Sequence, residues 1–511
     1  MTAGESGIDT GAKSLVSAAR RRLLISVATP LLAIVAFMSW GLSSPVGSSP
    51  DDDFHLASIW CGHGDADGCQ TAAQPNERTV YRDLVIDSVC FAFNPDASAS
   101  CQGKDFGENP SDVVTTPRGN FTGLYPPVFY FAMSFLAGPD IDASVLVMKA
   151  ANSVLFVGLV TLLFWLLPVH RRPTLVAALA LSLVPLGMSL VPSTNPSSWA
   201  IISAGTLWIA LLGVFETTGK RRLALGAVAT VATVIGAGAR ADSAIYAGLA
   251  VVLVLFMTFR KTREYFLLAI FPAALTLIAI ALYLTSHQGD AATAGLGAAP
   301  TGKGTGPLTL ILANIAYLPG LWSGVFGSWN LGWLDTALPL SVPAAALMCF
   351  AGAVFIGLTS HVPRKGIAVF AILGAMTVIP IVLLVQSNSV VGANYQPRYL
   401  LPLVVMLAGF LLLTAGRPLA TTSAQRWLIV IGLSFANAVA LQTNIRRYVT
   451  GADMPGLDLD AGAEWWWHLP ISPMFVWIAG SLAFAAALVA LNSMRWTATS
   501  AEPQFASGVR T

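Results

Sequence analysis

Charged residues are scarce in this chain. Asp, Glu, Lys and Arg together make up 11% of its 511 residues, whereas a soluble globular protein has about 25%. Hydrophobic residues make up 55%, and the mean hydropathy is +0.69. This composition excludes an ordinary soluble protein. It predicts an integral membrane protein that has the lipid bilayer as a partner, and no nucleic-acid partner is expected.

Two features that would change this interpretation are absent. The first hydrophobic segment, Leu23 to Leu42, is followed by Pro and Asp rather than by a clear small-x-small cleavage site. It is therefore not a typical cleaved signal peptide. The chain also has no convincing internal repeat, which weakens the case for a transporter built from two similar halves.

Long apolar segments are abundant. A transmembrane helix needs about 20 mainly apolar residues, and about twelve such segments can be placed. Their approximate bounds are 22–42, 143–167, 174–191, 198–215, 223–238, 244–259, 265–285, 336–359, 366–386, 399–415, 427–443 and 473–492. The sequence therefore predicts an all-α integral membrane protein, a polytopic helical bundle of about 12 transmembrane helices.

The distribution of Lys and Arg sets the orientation of the bundle, because short cytoplasmic loops carry an excess of both. One set of alternate connections holds Arg20–Arg22, Arg171 and Arg172, Lys220–Arg222, Arg260–Arg263, Arg364 and Lys365, Arg417 and Arg426, and Arg495. The opposite set holds most of the Asp and Glu. Both tails, 1–22 and 493–511, are therefore predicted to be cytoplasmic, on either side of a transmembrane domain over 23–492.

Three long loops are predicted on the extracytoplasmic side, over 43–124, 286–334 and 444–472. At the end of the first, Tyr125–Phe131 is aromatic and proline-rich, which is typical of a helix at the outer interface. In the second, Ala291–Pro307 is almost entirely Ala, Gly, Thr and Pro, which predicts a mobile segment in the position of a lid. In the third, Trp465–Trp467 is favoured as an interfacial anchor over a sugar platform.

The run Pro50-Asp51-Asp52-Asp53-Phe54-His55 places three carboxylates and an imidazole just beyond the first span. Such a cluster at a membrane surface is rarely there for stability alone. One interpretation is a general base with a neighbouring carboxylate that tunes its pKa. A second is a divalent cation bound by oxygen ligands together with His55. A third is an acidic turn that caps a helix starting near Phe54.

Four of the five cysteines fall in the first external loop, and Cys349 lies within a later span. An even set of cysteines in an extracytoplasmic loop favours two disulfides. Of the three possible pairings we favour the local one, with four free thiols as the alternative. The favoured pairs are Cys61–Cys69 and Cys90–Cys101.

Positive charges outside the cytoplasmic loops are few. Arg240 lies between two short spans, Arg398 lies at the outer entry to another, and Lys149 lies inside a predicted helix. A buried cation in a membrane protein usually faces a partner or a ligand. Arg suits a phosphate because its planar fork binds two oxygens at once. The alternatives are pairing with a neighbouring Asp and snorkelling to the headgroups.

Taken together, these motifs resemble a family of uncharacterised bacterial polytopic membrane proteins grouped with the GT-C glycosyltransferases. The matching motifs are Asp51-Asp52-x-x-His55, Tyr125-Pro-Pro-Val-Phe-Tyr130, Asn195-Pro196, Gly332-Trp333-Leu-Asp335 with Leu338-Pro339, and Gln396-Pro-Arg398-Tyr399-Leu-Leu-Pro402. They run in order from residue 50 to 402. Two positions depart from the family's pattern: Asp52 stands where Glu is typical, and Pro397 replaces the usual Gly before the Arg.

The resemblance implies a GT-C-like fold in the bacterial cytoplasmic membrane. It also implies a transferase that moves a sugar, with inversion, from a polyprenyl-phosphate donor to a cell-envelope glycan or lipid outside the cytoplasm. The candidate catalytic residues are Asp52, Asp51, Asp53 and His55. The candidates for the donor phosphate are Arg398, Arg240 and Lys149. The candidates for substrate binding are Tyr399, Gln396, Trp333, Asp335, Tyr125 and Asn195.

Such donors need no bound metal, although a divalent cation at Asp51, Asp53 and His55 stays open. A transporter or flippase of lipid-linked sugars is the main alternative, and a non-catalytic scaffold is a third interpretation. A transporter should carry charges through the midplane of several helices. This chain places its charges mainly at the outer face, which favours the enzyme.

Overall fold

The computed structural model describes residues 25–494, apart from 108, 110, 291–299, 303, 305, 360–361, 393, 415–420 and 468. The predicted tail 1–22, nearly all of the predicted tail 493–511 and most of the predicted mobile segment Ala291–Pro307 lie outside the described residues.

The described chain is mainly helical. Its helices are α1 (Ile25–Leu42), α2 (Asp52–Trp60), α3 (Val128–Ser134), α4 (Ile141–Leu166), α5 (Arg172–Leu183), α6 (Leu186–Leu190), α7 (Ser197–Glu216), α8 (Gly219–Ala239), α9 (Ala241–Thr258), α10 (Arg263–Tyr283), α11 (Pro307–Ser323), α12 (Ser341–Leu358), α13 (Pro363–Gln386), α14 (Pro397–Leu411), α15 (Ser423–Val449) and α16 (Pro473–Asn492). Eleven of the described helices are long and apolar enough to cross a membrane. The predicted architecture, an all-α polytopic membrane protein, is confirmed.

The predicted span 174–191 is interrupted. Helix α5 has 12 residues and ends at Leu183, and α6 begins after Val184 and Pro185. Proline has no N–H to donate and clashes with the preceding turn, so it breaks a helix. Helix α14, in the predicted span 399–415, is also short, with 15 residues. Helices α5 and α14 are therefore shorter than the eleven helices that are long enough to cross a membrane.

The prediction of a loop over all of 286–334 was wrong for its second half. Pro307–Ser328 forms one apolar helical element of 22 residues. Its internal Pro319 and its glycines favoured a loop in the sequence. The structure uses one of these glycines for close packing, because a Cβ on Gly324 would overlap the ring of Pro397.

Both ends of this element lie beside predicted extracytoplasmic segments. Before it, the Gly302 N–H donates to the Asn388 carbonyl (2.8 Å), just after α13. After it, the Trp333 indole donates to the Gly47 carbonyl (2.8 Å) in the first external loop. The chain on each side of this element is therefore tied to a distant segment by a hydrogen bond.

The first external loop contains a small antiparallel sheet that the sequence did not predict. Its strands, β1 (Cys69–Thr71), β2 (Arg78–Tyr81) and β3 (Val113–Thr116), pair in the order β1-β2-β3. Strands of three or four residues are too short to show an alternating pattern. Disulfides join Cys61 to Cys69 and Cys90 to Cys101, which confirms the predicted local pairing.

The core of the bundle is built on α7, which is buried almost throughout, and on α14, which packs against it. The Trp208 and Phe410 rings lie 5.1 Å apart, and Gly409 leaves the space that the indole occupies. Large apolar side chains on outer helices, such as Phe266 on α10 and Phe370 on α13, are exposed and suit contact with lipid. Because α14 lies in the core, its first turn places Arg398 inside the protein.

Candidate functional site

The acidic turn, defined here as Ser49–Asp53, leads into α2 and is held by the segment before α7. The Asp52 carboxylate accepts hydrogen bonds from the Ser49 N–H (2.9 Å) and the Thr194 hydroxyl (3.0 Å). Asp52 is only 1% exposed, and burial raises its pKa to about 7. Asp52, one of the four candidate catalytic residues, is therefore enclosed by its own neighbours, and its hydrogen bonds hold the turn in place.

Asp51 is the carboxylate of this turn that remains accessible. Its backbone is left-handed, with φ 61° and ψ 24°, and its side chain caps no N–H of α2. One oxygen lies 2.5 Å from Arg398 Nη2 and the other 3.4 Å from Arg118 Nη2, while 37% of the side chain is exposed. Burial is the largest single effect and would raise the pKa of Asp51, but the charge of Arg398, its hydrogen bond, and the His55 and Arg118 side chains together outweigh it, and the pKa falls to about 2.

Arg398 contacts the acidic turn, and its side chain is 3% exposed. Besides the contact to Asp51, its guanidinium donates to the Pro50 carbonyl (3.1 Å) and to the Tyr399 hydroxyl (3.1 Å). The Asn195 amide donates to the same Pro50 carbonyl (2.8 Å). Within the described residues the Arg398 Nε is buried and has no hydrogen-bond partner. The guanidinium therefore has a donor to spare.

Arg240 is the second buried arginine of the site and forms the one-residue break between α8 and α9. It makes two hydrogen bonds to the Asp242 carboxylate, of 2.9 and 2.8 Å. Its guanidinium lies 4.7 Å from the centre of the Tyr399 ring, and that of Arg398 lies 5.0 Å from the same ring. Arg240 Nη1 also lacks a partner in the part of the chain that the structure describes. Two buried cations thus share one tyrosine ring.

An aromatic wall completes the site. The Tyr125 ring lies 5.8 Å from the Arg240 guanidinium and 5.5 Å from the His55 ring. His55 Nδ1 is 2.9 Å from the Tyr130 hydroxyl. Burial lowers the pKa of His55 to about 3, so the imidazole is neutral. Its Nε2 is buried and has no partner among the described residues.

Three residues that the sequence predicts to bind phosphate or substrate make contacts within the protein. Lys149 donates to the carbonyls of residues 41, 44 and 45, at 3.0, 2.6 and 3.4 Å. The Trp333 indole donates a hydrogen bond to the Gly47 carbonyl in the first external loop, as described above. Asp335 forms a buried ion pair with Arg447 (2.9 Å), in which the side chains are 5% and 1% exposed. These residues tie the external segments to the bundle.

Asp335→Asn is expected to lower the free energy of unfolding by about 3 kcal/mol, because it leaves a buried Arg447 without its counter-charge. Thermal unfolding of the purified protein in lipid measures the effect. Asp87→Asn is the matched control: its pair with Arg82 is partly exposed and contributes about 0–1 kcal/mol. Equal losses from the two substitutions would contradict a structural role for Asp335.

The predicted divalent-cation ligands do not form a ligand set. Asp53 makes two hydrogen bonds to Arg118, of 2.6 and 2.9 Å, Asp51 faces Arg398, and His55 Nδ1 faces Tyr130. No group of three or more His, Cys, Asp or Glu side chains suited to a metal occurs among the described residues. Two of the three carboxylates of the acidic turn, those of Asp51 and Asp53, are thus paired with arginines.

Sequence reasoning missed Asp242, Tyr130 and Arg118 as parts of this site. The Arg-Ala-Asp spacing from 240 to 242 did carry a signal, since an arginine paired with a neighbouring Asp was one interpretation of Arg240. Arg118 gave none, because it reaches the acidic turn from 65 residues away.

The fold and the site together define a polytopic helical membrane protein with two buried arginines, each paired with an aspartate, beside its first loop. The chain belongs to the family described as "Predicted membrane protein (DUF2142)", which matches residues 34–407. This range includes the acidic turn, Arg240 and Arg398. No curated protein and no solved structure matches the chain.

Proposed function

We propose that this protein is a GT-C-type glycosyltransferase of the bacterial cytoplasmic membrane. It transfers a sugar from a polyprenyl-phosphate donor to a cell-envelope glycan or lipid outside the cytoplasm. The observation that carries the proposal is the convergence of Asp51, Arg398 and Arg240 at one site. Among the described residues Arg240 Nη1 is buried without a partner, which is costly unless a ligand supplies the acceptor.

A phosphate fits this pair of arginines. Asp51 balances Arg398 and Asp242 balances Arg240, yet both guanidinium groups can donate further. A planar guanidinium binds two phosphate oxygens at once, and two such groups can hold a monophosphate through the charge that develops as it leaves. The Tyr399 ring lies next to both guanidinium groups, 4.7 Å from that of Arg240 and 5.0 Å from that of Arg398.

In the proposed reaction Asp51 is the general base. It takes the proton from an acceptor hydroxyl while that oxygen bonds to the anomeric carbon of the donor sugar. The bond from this carbon to the phosphate oxygen breaks on the opposite face, so the configuration inverts. Polyprenyl phosphate leaves with the bonding electrons, held by Arg398 and Arg240. Asp52 and Asn195 act as positioning residues, since their bonds fix the acidic turn.

The same geometry supports an order of binding. Before the donor binds, Arg398 holds the pKa of Asp51 at about 2, which makes its carboxylate a weak base. A donor phosphate on Arg398 offsets that positive charge and competes for its Nη2, so the pKa of Asp51 rises toward the range of an effective base. The donor therefore binds first and activates the base for the acceptor.

The alternative of a transporter is less well supported. Of the buried Asp, Lys and Arg side chains in the described residues, only Lys365 lies at the cytoplasmic ends of the helices, where it bonds the carbonyls of Gly357 and Leu413. The others gather near the external segments. Charges spaced along a path through several helices, as transport requires, do not occur in the described part of the chain.

Purified protein in lipid, supplied with a panel of polyprenyl-phosphate sugars and a crude envelope acceptor, is expected to release polyprenyl phosphate and to glycosylate the acceptor. Wild type is compared with Asp51→Asn and Arg398→Ala. Transfer by wild type and by neither variant would support the proposal. Movement of the lipid-linked sugar across vesicles without transfer would make the transporter the better interpretation, and neither activity would contradict both.

A further inference from the structure

A cleft lies beside Arg398, and its lining residues do not include Arg240, Tyr125 or Tyr399. It encloses about 630 Å³, including the part that is open to solvent. One wall is the acidic turn, the second is the chain that follows α11, and the third is the start of α14. The lining residues that matter here are Ser49, Trp329, Asn330, Gln396 and Arg398.

Two polar atoms in this cleft are buried without a partner among the described residues: Gln396 Oε1, an acceptor, and Arg398 Nε, a donor. Gln396 immediately precedes α14, and its side chain makes no capping bond to that helix. It is therefore not needed to start the helix. Across the cleft, the Trp329 indole is half-buried and offers an aromatic face. A hydrogen-bond acceptor, a donor and a ring face in one narrow space fit a sugar ring.

We propose that this cleft binds the sugar ring of the donor, and this inference rests on the proposed function. The sugar of a glycosyl phosphate is attached directly to a phosphate oxygen, so it must lie beside the group that holds the phosphate. Arg398 joins the two places, because its Nη atoms face the acidic turn and its side chain lines the cleft.

The donors and acceptors of the cleft match the hydroxyl groups of a sugar ring. A sugar hydroxyl donates to Gln396 Oε1 and another sugar oxygen accepts from Arg398 Nε. Trp329, which lines the same cleft, packs on the ring.

Competition binding tests the subsite without relying on transfer. Radiolabelled polyprenyl phosphate bound to the protein in lipid is displaced by the unlabelled lipid phosphate, or by the same lipid phosphate carrying each of a panel of neutral hexoses and pentoses. Wild type is expected to bind at least one glycosylated lipid about tenfold more tightly than the sugar-free lipid, as one or two satisfied buried hydrogen bonds imply.

Gln396→Leu is expected to remove most of this preference while binding the sugar-free lipid within about twofold of wild type. Ser189→Ala is the matched control: it lines the same cleft, but its hydroxyl already bonds the Leu186 carbonyl (2.8 Å), so the preference should persist. Trp329→Ala gives a second variant that should lose the preference.

Equal affinity of wild type for the sugar-free and every glycosylated lipid would overturn the subsite and leave the phosphate site standing. A preference that survives in both Gln396→Leu and Trp329→Ala would also overturn it. A wild-type protein that binds no polyprenyl phosphate would overturn the proposed function itself, and the subsite with it.

Discussion

Asp51→Asn is expected to lower kcat by about 10²- to 10⁴-fold, which is the usual contribution of a general base. The amide of Asn cannot take the proton of the acceptor hydroxyl. Folding should be preserved, because the side chain of Asp51 is 37% exposed, unlike that of Asp335, and caps no helix. The bonds that hold the turn are made by Asp52 and Asn195. Initial rates of polyprenyl-phosphate release at saturating donor measure the effect.

The same substitution is expected to tighten the binding of polyprenyl phosphate several-fold. In the free protein, Asp51 and a ligand phosphate compete for Arg398 Nη2, which lies 2.5 Å from the Asp51 carboxylate. Asn at this position removes the competing charge. A residue with a merely structural role would not combine lost turnover with improved donor affinity. Equilibrium binding of the lipid phosphate in lipid nanodiscs provides this second readout.

Asp53→Asn is the matched control, since Asp53 belongs to the same turn but pairs with Arg118, whose side chain is 44% exposed. Its kcat should stay within a few-fold of wild type, because partly exposed pairs contribute little. If Asp53→Asn lost as much activity as Asp51→Asn, the whole turn rather than one carboxylate would be responsible. Full activity of Asp51→Asn would remove Asp51 from the mechanism.

Much of the bundle could be predicted because its signal is local. The short apolar segments 223–238 and 244–259 became α8 and α9, and the spacing of cysteines in the first loop was enough for the local disulfide pairing. Pro307–Ser328 could not be recognised because its proline and glycines favour a loop. Gly324 is there for contact with Pro397, and contacts between distant segments leave no local pattern.

The site was predictable as a set of residues and not as an arrangement. The sequence placed Asp51, Arg240 and Arg398 on one side of the membrane, and the structure brings them together. Which carboxylate faces Arg398 depends on the left-handed backbone of Asp51. That backbone is held by the bond from Thr194 to Asp52, 142 residues apart in sequence. No spacing rule encodes a contact of this kind.

Asp335 was predicted to bind substrate, but the structure shows it in an ion pair within the protein. A Gly-Trp-Leu-Asp stretch in an external segment is equally compatible with a substrate contact and with a structural one. The difference is made by Arg447 on α15, which meets the Asp335 carboxylate where both are buried. A polar motif therefore indicates that a residue needs a partner, and only the folded chain shows whether that partner is internal.

Arg398→Gln is expected to weaken polyprenyl-phosphate binding by roughly 30- to 100-fold. The estimate assumes a net loss of about 2–2.7 kcal/mol, which is the contribution of one charge-assisted hydrogen bond. Arg398→Lys should give an intermediate loss, since Lys keeps the charge but cannot reproduce the fork that reaches Pro50 and Asp51 together. Equilibrium binding of the lipid phosphate measures both. Arg118→Gln is the control, a cation near Asp51 that is partly exposed, and its loss should be no more than about threefold.

The Arg398→Gln variant should also change the pKa of Asp51, and this change tests the contact between the two side chains. Without Arg398, burial dominates the environment of Asp51, and the pKa of its carboxyl should rise above its present value of about 2. Infrared titration of the carboxyl groups in wild type and Arg398→Gln detects this rise.

The double variant decides between the two roles of Arg398. If Arg398 is the group for which Asp51 and the phosphate compete, Asp51→Asn should tighten lipid-phosphate binding in the wild-type background and leave it unchanged in Arg398→Gln. The two substitutions are then strongly non-additive, as residues in one network should be. Independent effects would mean that Arg398 supports the turn through Pro50 and that the phosphate is held by Arg240 alone.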